Sequence, residues 1–192
     1  MKNTSVPLLA FILSTSIHQL QAQEYYYWAN DKKVALELLP EKNFIVTTTP
    51  SQDKLTQSMA ISTADITVFR QLEITKSIEN SGRTSDKQDI LYWALVNLLI
   101  NHQNIQSSEV VYTAPFFIAN GKEVGLSHFF YVKLREQADY VILEKLALEN
   151  SVKIEGRSKF MPHWYILSCT NKSAGNALEM ANLFYETGLF SS

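Results

Sequence analysis

Between Glu109 and Gly188 apolar residues recur first at every second position, then at helical spacing, then again in alternation and again at helical spacing. The stretch EVVYTAPFFIANGKEVGLSHFFYVKL holds two arms rich in aromatic and β-branched residues around Asn120-Gly121, a pair that supplies positive φ, and predicts a β-hairpin. On its second arm Phe130, Val132 and Leu134 share one face, while Phe129, Tyr131 and Lys133 share the other. Gln137 to Asn150 then place Ala138, Val141, Ile142, Leu146 and Ala147 on one helical stripe, with Glu144, Lys145 and Glu149 outside it. VKIEGRSKF and WYILSCT, joined by a turn at Met161-Pro162, predict a second hairpin. A last helix starts after Ser173, buries Ala177, Met180, Ala181 and Phe184, and stops at Gly188.

The pattern is more broken before residue 109. EYYYWANDKKVALELLPEKNFIVTTT predicts a meander of three short strands, with turns at Asn30-Asp31 and around Pro40 and Asn43. Ser51 to Ala60 is a weak helix, and Asp65 to Ile78 one long strand or two, ended by Asn80-Ser81-Gly82. Ser85 with Gln88 forms a capping box ahead of the apolar run Ile90 to Val96, which predicts a helix over about 86–101, apolar nearly all round and so buried on more than one side. His102 caps its C-terminus.

The fold class that follows is α+β. Residues 109–192 give β-α-β-β-α, a ferredoxin-like unit without its last strand, and the edge of its first strand is expected to be unpaired. Residues 23–108 form a β-rich N-terminal subdomain. Taken together with Val110 to Phe117, they lay out as a degenerate repeat of the same unit.

Residues 1–22 carry Lys2, an apolar run from Val6 to Ile17 diluted by Ser and Thr, and Leu20-Gln21-Ala22. This is the pattern of a signal peptide, too short and polar to remain as a membrane span; the other reading is an ordinary buried N-terminal helix. Cleavage predicts an exported protein, periplasmic, surface-held or secreted, with no lipoprotein anchor because no Cys follows the run. Removing Lys2 takes the 17 Lys and Arg to 16 against 19 Asp and Glu, a net charge of −3 that argues for neither nucleic acid nor anionic membrane as partner. With 46% apolar and 19% charged residues the chain can bury a core, in one domain or two small ones.

Candidate chemistry is sparse. Cys169 is the only cysteine, so no internal disulfide supports the fold. It is either a packed strand residue or, paired with His163, a nucleophile whose case requires proximity and access. No Gly-x-Ser-x-Gly motif is present, and His18, His102, His128 and His163 lie outside any Gly-rich active-site loop. Neither a metal-ligand spacing nor a phosphate-cradling glycine pattern occurs, so no catalytic residue, cofactor or metal is predicted. Tyr25-Tyr26-Tyr27 with Trp28 suits either a sugar-stacking platform or the cover of a core edge.

GLSHFFYVKL followed by KFMPHWYILSCTNKSAGNALEMANLFYETGLF resembles the N-terminal pro-region of secreted subtilisin-like serine peptidases of the Bacteroides group, from about Val110 to Phe190. The resemblance implies a ferredoxin-like module that binds a subtilisin-like peptidase domain, assists its folding and inhibits it until removed. Against that pattern, the final strand, the tail that would enter the active site and the peptidase domain do not follow Ser192. Phe129 and Tyr131, opposite the helix-packing side, are the candidate partner-binding residues. The alternative is a stand-alone exported peptidase inhibitor or a surface peptide- or glycan-binding module. The open strand edge also allows a strand-mediated homodimer.

Overall fold

A computed structural model describes residues 24–72, 90–98 and 107–191. The signal segment 1–22, the break at Asn80-Ser81-Gly82, the capping box at Ser85 and Gln88, and His102 lie outside the described residues. The described chain is α+β, with two antiparallel sheets and three helices.

The first sheet begins with β1 (Tyr25–Ala29) and β2 (Lys32–Thr47), joined by a tight turn in which Asn30 and Asp31 both take positive φ. The expected three-strand meander is therefore two strands. β2 passes Pro40 without ending, because its pairing with the neighbouring strand shifts register between Leu39 and Asn43, an irregularity where a missing N–H is tolerated. α1 (Gln52–Met59) follows, its start fixed by the Ser51 hydroxyl accepting from Lys54 N–H at 3.4 Å. β3 (Ile66–Gln71), β4 (Tyr92–Val96), β5 (Val110–Ala119) and β6 (Lys122–Gly125) complete a sheet ordered β3-β4-β2-β5-β6.

β4 corrects the helix expected over 86–101. Tyr92–Val96 is a central strand between β3 and β2, with Ala94 and Val96 facing α1 and Trp93 and Leu95 facing the main core. An apolar run covered on both faces has no alternation to betray it, so it mimics a buried helix in sequence.

The hairpin at Asn120-Gly121 forms with a two-residue turn, Ala119 opposite Lys122 and both turn residues at positive φ. Its second arm, however, ends at Gly125. Leu126 to His128 carry the chain out of the first sheet, and β7 (Phe129–Lys133) joins the second, ordered β7-β9-β8 with β8 (Lys153–Arg157) and β9 (Trp164–Ser168). The passage between sheets thus falls at 126–128 rather than 108.

α2 (Tyr140–Glu149) links β7 to β8, and α3 (Ala177–Glu186) follows β9. α3 starts in a reciprocal cap: Asn176 Oδ1 accepts from Leu178 N at 3.0 Å and Glu179 N at 3.1 Å, while Glu179 Oε2 accepts from Asn176 N at 2.8 Å. Beyond α3, Ser191 N–H donates to Lys133 C=O at 2.8 Å in one antiparallel bridge on the far side of β7. The second unit therefore runs last-first-third-second across its sheet, the ferredoxin-like order, with the last position held by Ser191. β5-β2-β4-β3 gives the same order in the first sheet, with α1 between its first and second strands. The repeat is present in strand order, its third strand being β4, which stands where its second helix was expected; residues 99–106, between β4 and β5, lie outside the described residues.

Phe44, Val46, Tyr112, Ala114 and Phe116 from one face of the first sheet join Phe130, Val132, Tyr165 and Leu167 of the second, and Leu143, Ala147, Met180 and Phe184 of the helices, in one core. α3 is held between the sheets: it packs on β7 and β1, and its Ala177 N–H donates to the Tyr112 hydroxyl at 3.0 Å. α2 sits one step out of its expected phase. Leu143 and Ala147 are buried, whereas Val141 is 70% and Leu148 82% exposed.

Candidate docking face and strand edge

Because Phe130, Val132 and Leu134 turn inward, alternation sends Phe129, Tyr131 and Lys133 to the outer face of the second sheet. Register places Ser168, Ile166 and Trp164 of β9 beside them. Tyr131 is 48% exposed, its ring edge-on to Trp164 with centroids 6.5 Å apart. Phe129 is half-buried, with its ring 3.8 Å from that of His128. Of the two expected partner-binding residues only Tyr131 is exposed. Past Trp164 the β8–β9 turn projects Phe160, 76% exposed, and Met161, held by Phe160 N–H on Ser158 Oγ at 3.4 Å and Trp164 N–H on Met161 C=O at 3.2 Å. Trp164 extends the face beyond the expected pair, and the exposed Phe160 and Met161 stand in the turn that leads into it. Trp164 was legible, since it shares the phase of Ile166 and Ser168 once β9 is set; Phe160 is a turn residue and carries no periodicity.

The hydrogen-bond pattern defines the edge of β7. Ser191 bonds Lys133 from outside the sheet, while Leu134 N–H donates to His163 C=O on the β9 side at 3.0 Å. In an antiparallel ladder these directions alternate, so the N–H and C=O of Tyr131 and the C=O of Phe129 point away from β9. Phe129 N–H also points outward and is taken by Ser127 Oγ at 3.2 Å. Beside this edge lies an open groove of about 500 Å³ between β7, α3 and the β1–β2 turn, lined among others by Trp28, Asp31, Tyr131, Phe184 and Phe190.

The aromatic first strand is committed to packing. Tyr25 lies 5.0 Å from Phe117, and Trp28 stacks on Tyr185 at 4.9 Å. Glu186 Oε1 accepts from the Tyr26 hydroxyl at 2.6 Å and Trp28 Nε1 at 3.1 Å and pairs with Lys33 at 3.4 Å, while Lys33 Nζ sits 3.9 Å over the Tyr26 ring. The Tyr26 hydroxyl, then Trp28 and Lys33, hold the Glu186 carboxyl below its ordinary range. These contacts fasten the β1–β2 hairpin to α3, the core-edge role rather than an open stacking platform.

Cys169 is fully buried, and burial pushes its thiol up to about 12. His163 precedes β9 and Cys169 follows it, so the strand separates them and the nucleophile reading fails on access and on distance. His128 is buried against Tyr112 and Phe129 with no partner for Nδ1, and burial lowers its pKa to about 4. Among the described residues no helix is long and apolar enough to cross a membrane.

Comparison with protein-family models, with curated protein sequences and with solved structures finds no match for this chain.

Proposed function

We propose that the chain is a non-catalytic pro-region module of an exported subtilisin-like serine peptidase, which docks on the peptidase domain through the outer face of its second sheet and assists its folding. The observation that carries this reading is that face itself, on a sheet of ferredoxin-like order: Tyr131 and Trp164 side by side, bordered by Phe160 and Met161. Tyr and Trp on a rigid strand surface bind with little loss of side-chain freedom and dominate protein interfaces. No catalytic group is needed for that role.

Refolding tests it. A denatured peptidase domain from a secreted subtilisin-like peptidase of the Bacteroides group should regain activity faster with the full chain than without it. The double variant Tyr131→Ser, Phe160→Ser should lose most of that effect while keeping its far-UV circular dichroism. An unchanged refolding rate with the wild-type chain contradicts the proposal. The groove beside β7 favours a second reading, a stand-alone exported inhibitor or peptide-binding module. That protein would slow an already folded peptidase, or bind peptides, without accelerating refolding.

A further inference from the structure

We infer that the outer face of the second sheet takes the exposed side of α2 from a second copy of the chain, so that copies join head to tail. The inference goes beyond the reading above, and its test involves no peptidase, so either fails without the other.

Three observations converge on this occupant. The first is where apolar surface remains. Nine large apolar side chains are exposed among the described residues, and six of them fall in two patches: Tyr131 on the outer face with Phe160 and Met161 in the turn leading into it, and Val141, Ile142 and Leu148 on α2. The second is charge. On the three strands and the β8–β9 turn, Lys133, Lys153, Arg157 and Lys159 stand against Glu155 alone, and that carboxylate accepts from Ser168 Oγ at 2.6 Å and pairs with Lys153 at 2.9 Å. Over 136–149 the balance reverses: Glu136, Asp139, Glu144 and Glu149 stand against Lys145, which reaches Glu149 at 3.9 Å. An apolar patch set among basic groups and one set among acidic groups are complementary, whereas two sheet faces or two helix faces would bring like charges together.

The third is the order of layers. Within one chain α2 and α3 cover the inner face of the second sheet through Leu143, Ala147, Met180 and Phe184. The outer face carries exposed aromatic surface and lacks such a helix layer. Because Leu143 and Ala147 hold the inner side of α2, its exposed side points away from the core, so the two patches stand on opposite sides of that core and a chain cannot cover its own. The α2 of a second copy supplies the missing layer. Such a contact joins unlike faces, and it repeats from copy to copy instead of closing a symmetric pair.

Sedimentation velocity of the full chain tests it. At about 0.05 M NaCl the wild-type sedimentation coefficient should rise with protein concentration, and at about 0.5 M the association should weaken about fivefold or more, because exposed charges are then screened. The double variant Tyr131→Ser, Phe160→Ser disables the sheet face, and Val141→Ser, Leu148→Ser disables the helix face. Each alone, with unchanged far-UV circular dichroism, should associate about tenfold or more weakly than wild type. Mixed in equal amounts, the two should form a one-to-one dimer and nothing larger, since each keeps the face that the other has lost. The inference is overturned if the wild-type chain stays monomeric up to about 0.5 mM, if salt leaves its association unchanged, if either variant alone associates like wild type, or if the mixture sediments as its separate components.

Discussion

His128 shows how the environment of a single side chain becomes a property of the whole protein. Its imidazole is 3% exposed, Nδ1 has no partner, and the ring lies against Phe129 and Tyr112, so the charged form is disfavoured and the pKa falls from 6.5 to about 4. Glu155 opposes that shift and Lys153 adds to it, both more weakly than burial. The folded chain holds His128 neutral where the unfolded chain protonates it. Its contribution to stability is therefore intact above about pH 6.5, declines as pH falls toward 4, and changes no further below. The total loss is bounded at about 3 kcal/mol. Urea denaturation between pH 7 and pH 4 should show this slope in the wild type and a much flatter one in His128→Phe; equal slopes would contradict the burial account. The outward phase of Phe129 and Tyr131 was legible because strand alternation is strict, but the burial of Phe129 by its neighbour His128 was not, since ring-on-ring cover within a turn leaves no periodic trace.

Elements were legible where a local signal was unambiguous. Asn120-Gly121 set its hairpin turn, and Ser51 and the Ser173–Gly188 window located α1 and α3 closely. Asn176→Ala removes an acceptor from two backbone N–H groups at the start of α3 and should cost about 1 kcal/mol in denaturant unfolding, since this end abuts Tyr112 in the core. Two misreadings share one cause, apolar residues spread too widely to mark a single face. Ile90 to Val96 has no polar break and its Tyr92–Val96 part lies as a central strand, and on α2 the apolar residues Val141, Ile142, Leu143, Leu146, Ala147 and Leu148 surround most of the helix, leaving its phase to be chosen by packing on β8. The observed phase is testable: Leu143→Ala should destabilise by about 2–5 kcal/mol, whereas Val141→Lys, at a position expected from sequence to be buried and found 70% exposed, should stay within about 0.5 kcal/mol of wild type. The reverse ranking would restore the phase expected from sequence.

At the scale of the molecule, two sheets of the same strand order enclose one core, and α3, clasped by the β1–β2 hairpin through Glu186 and Tyr185, joins them. That arrangement leaves the second sheet with one face in the core and one face outward, and it is the outward face on which the proposed function rests. The place of Val110 to Phe117 as the last strand of the first unit was legible, but the break after Gly125 that leaves β6 in the first sheet and sends β7 to the second was not, because pairing between strands distant in sequence is decided by tertiary contacts such as Phe44 opposite Ala114 and Val46 opposite Tyr112. The most direct measurement is hydrogen exchange of the full chain alone and with a subtilisin-like peptidase domain of the Bacteroides group. The account predicts slowed exchange over residues 129–133 and 158–168, which are β7, the β8–β9 turn and β9. Unchanged exchange there, or protection confined to the exposed face of α2 around Val141 and Leu148, would contradict it.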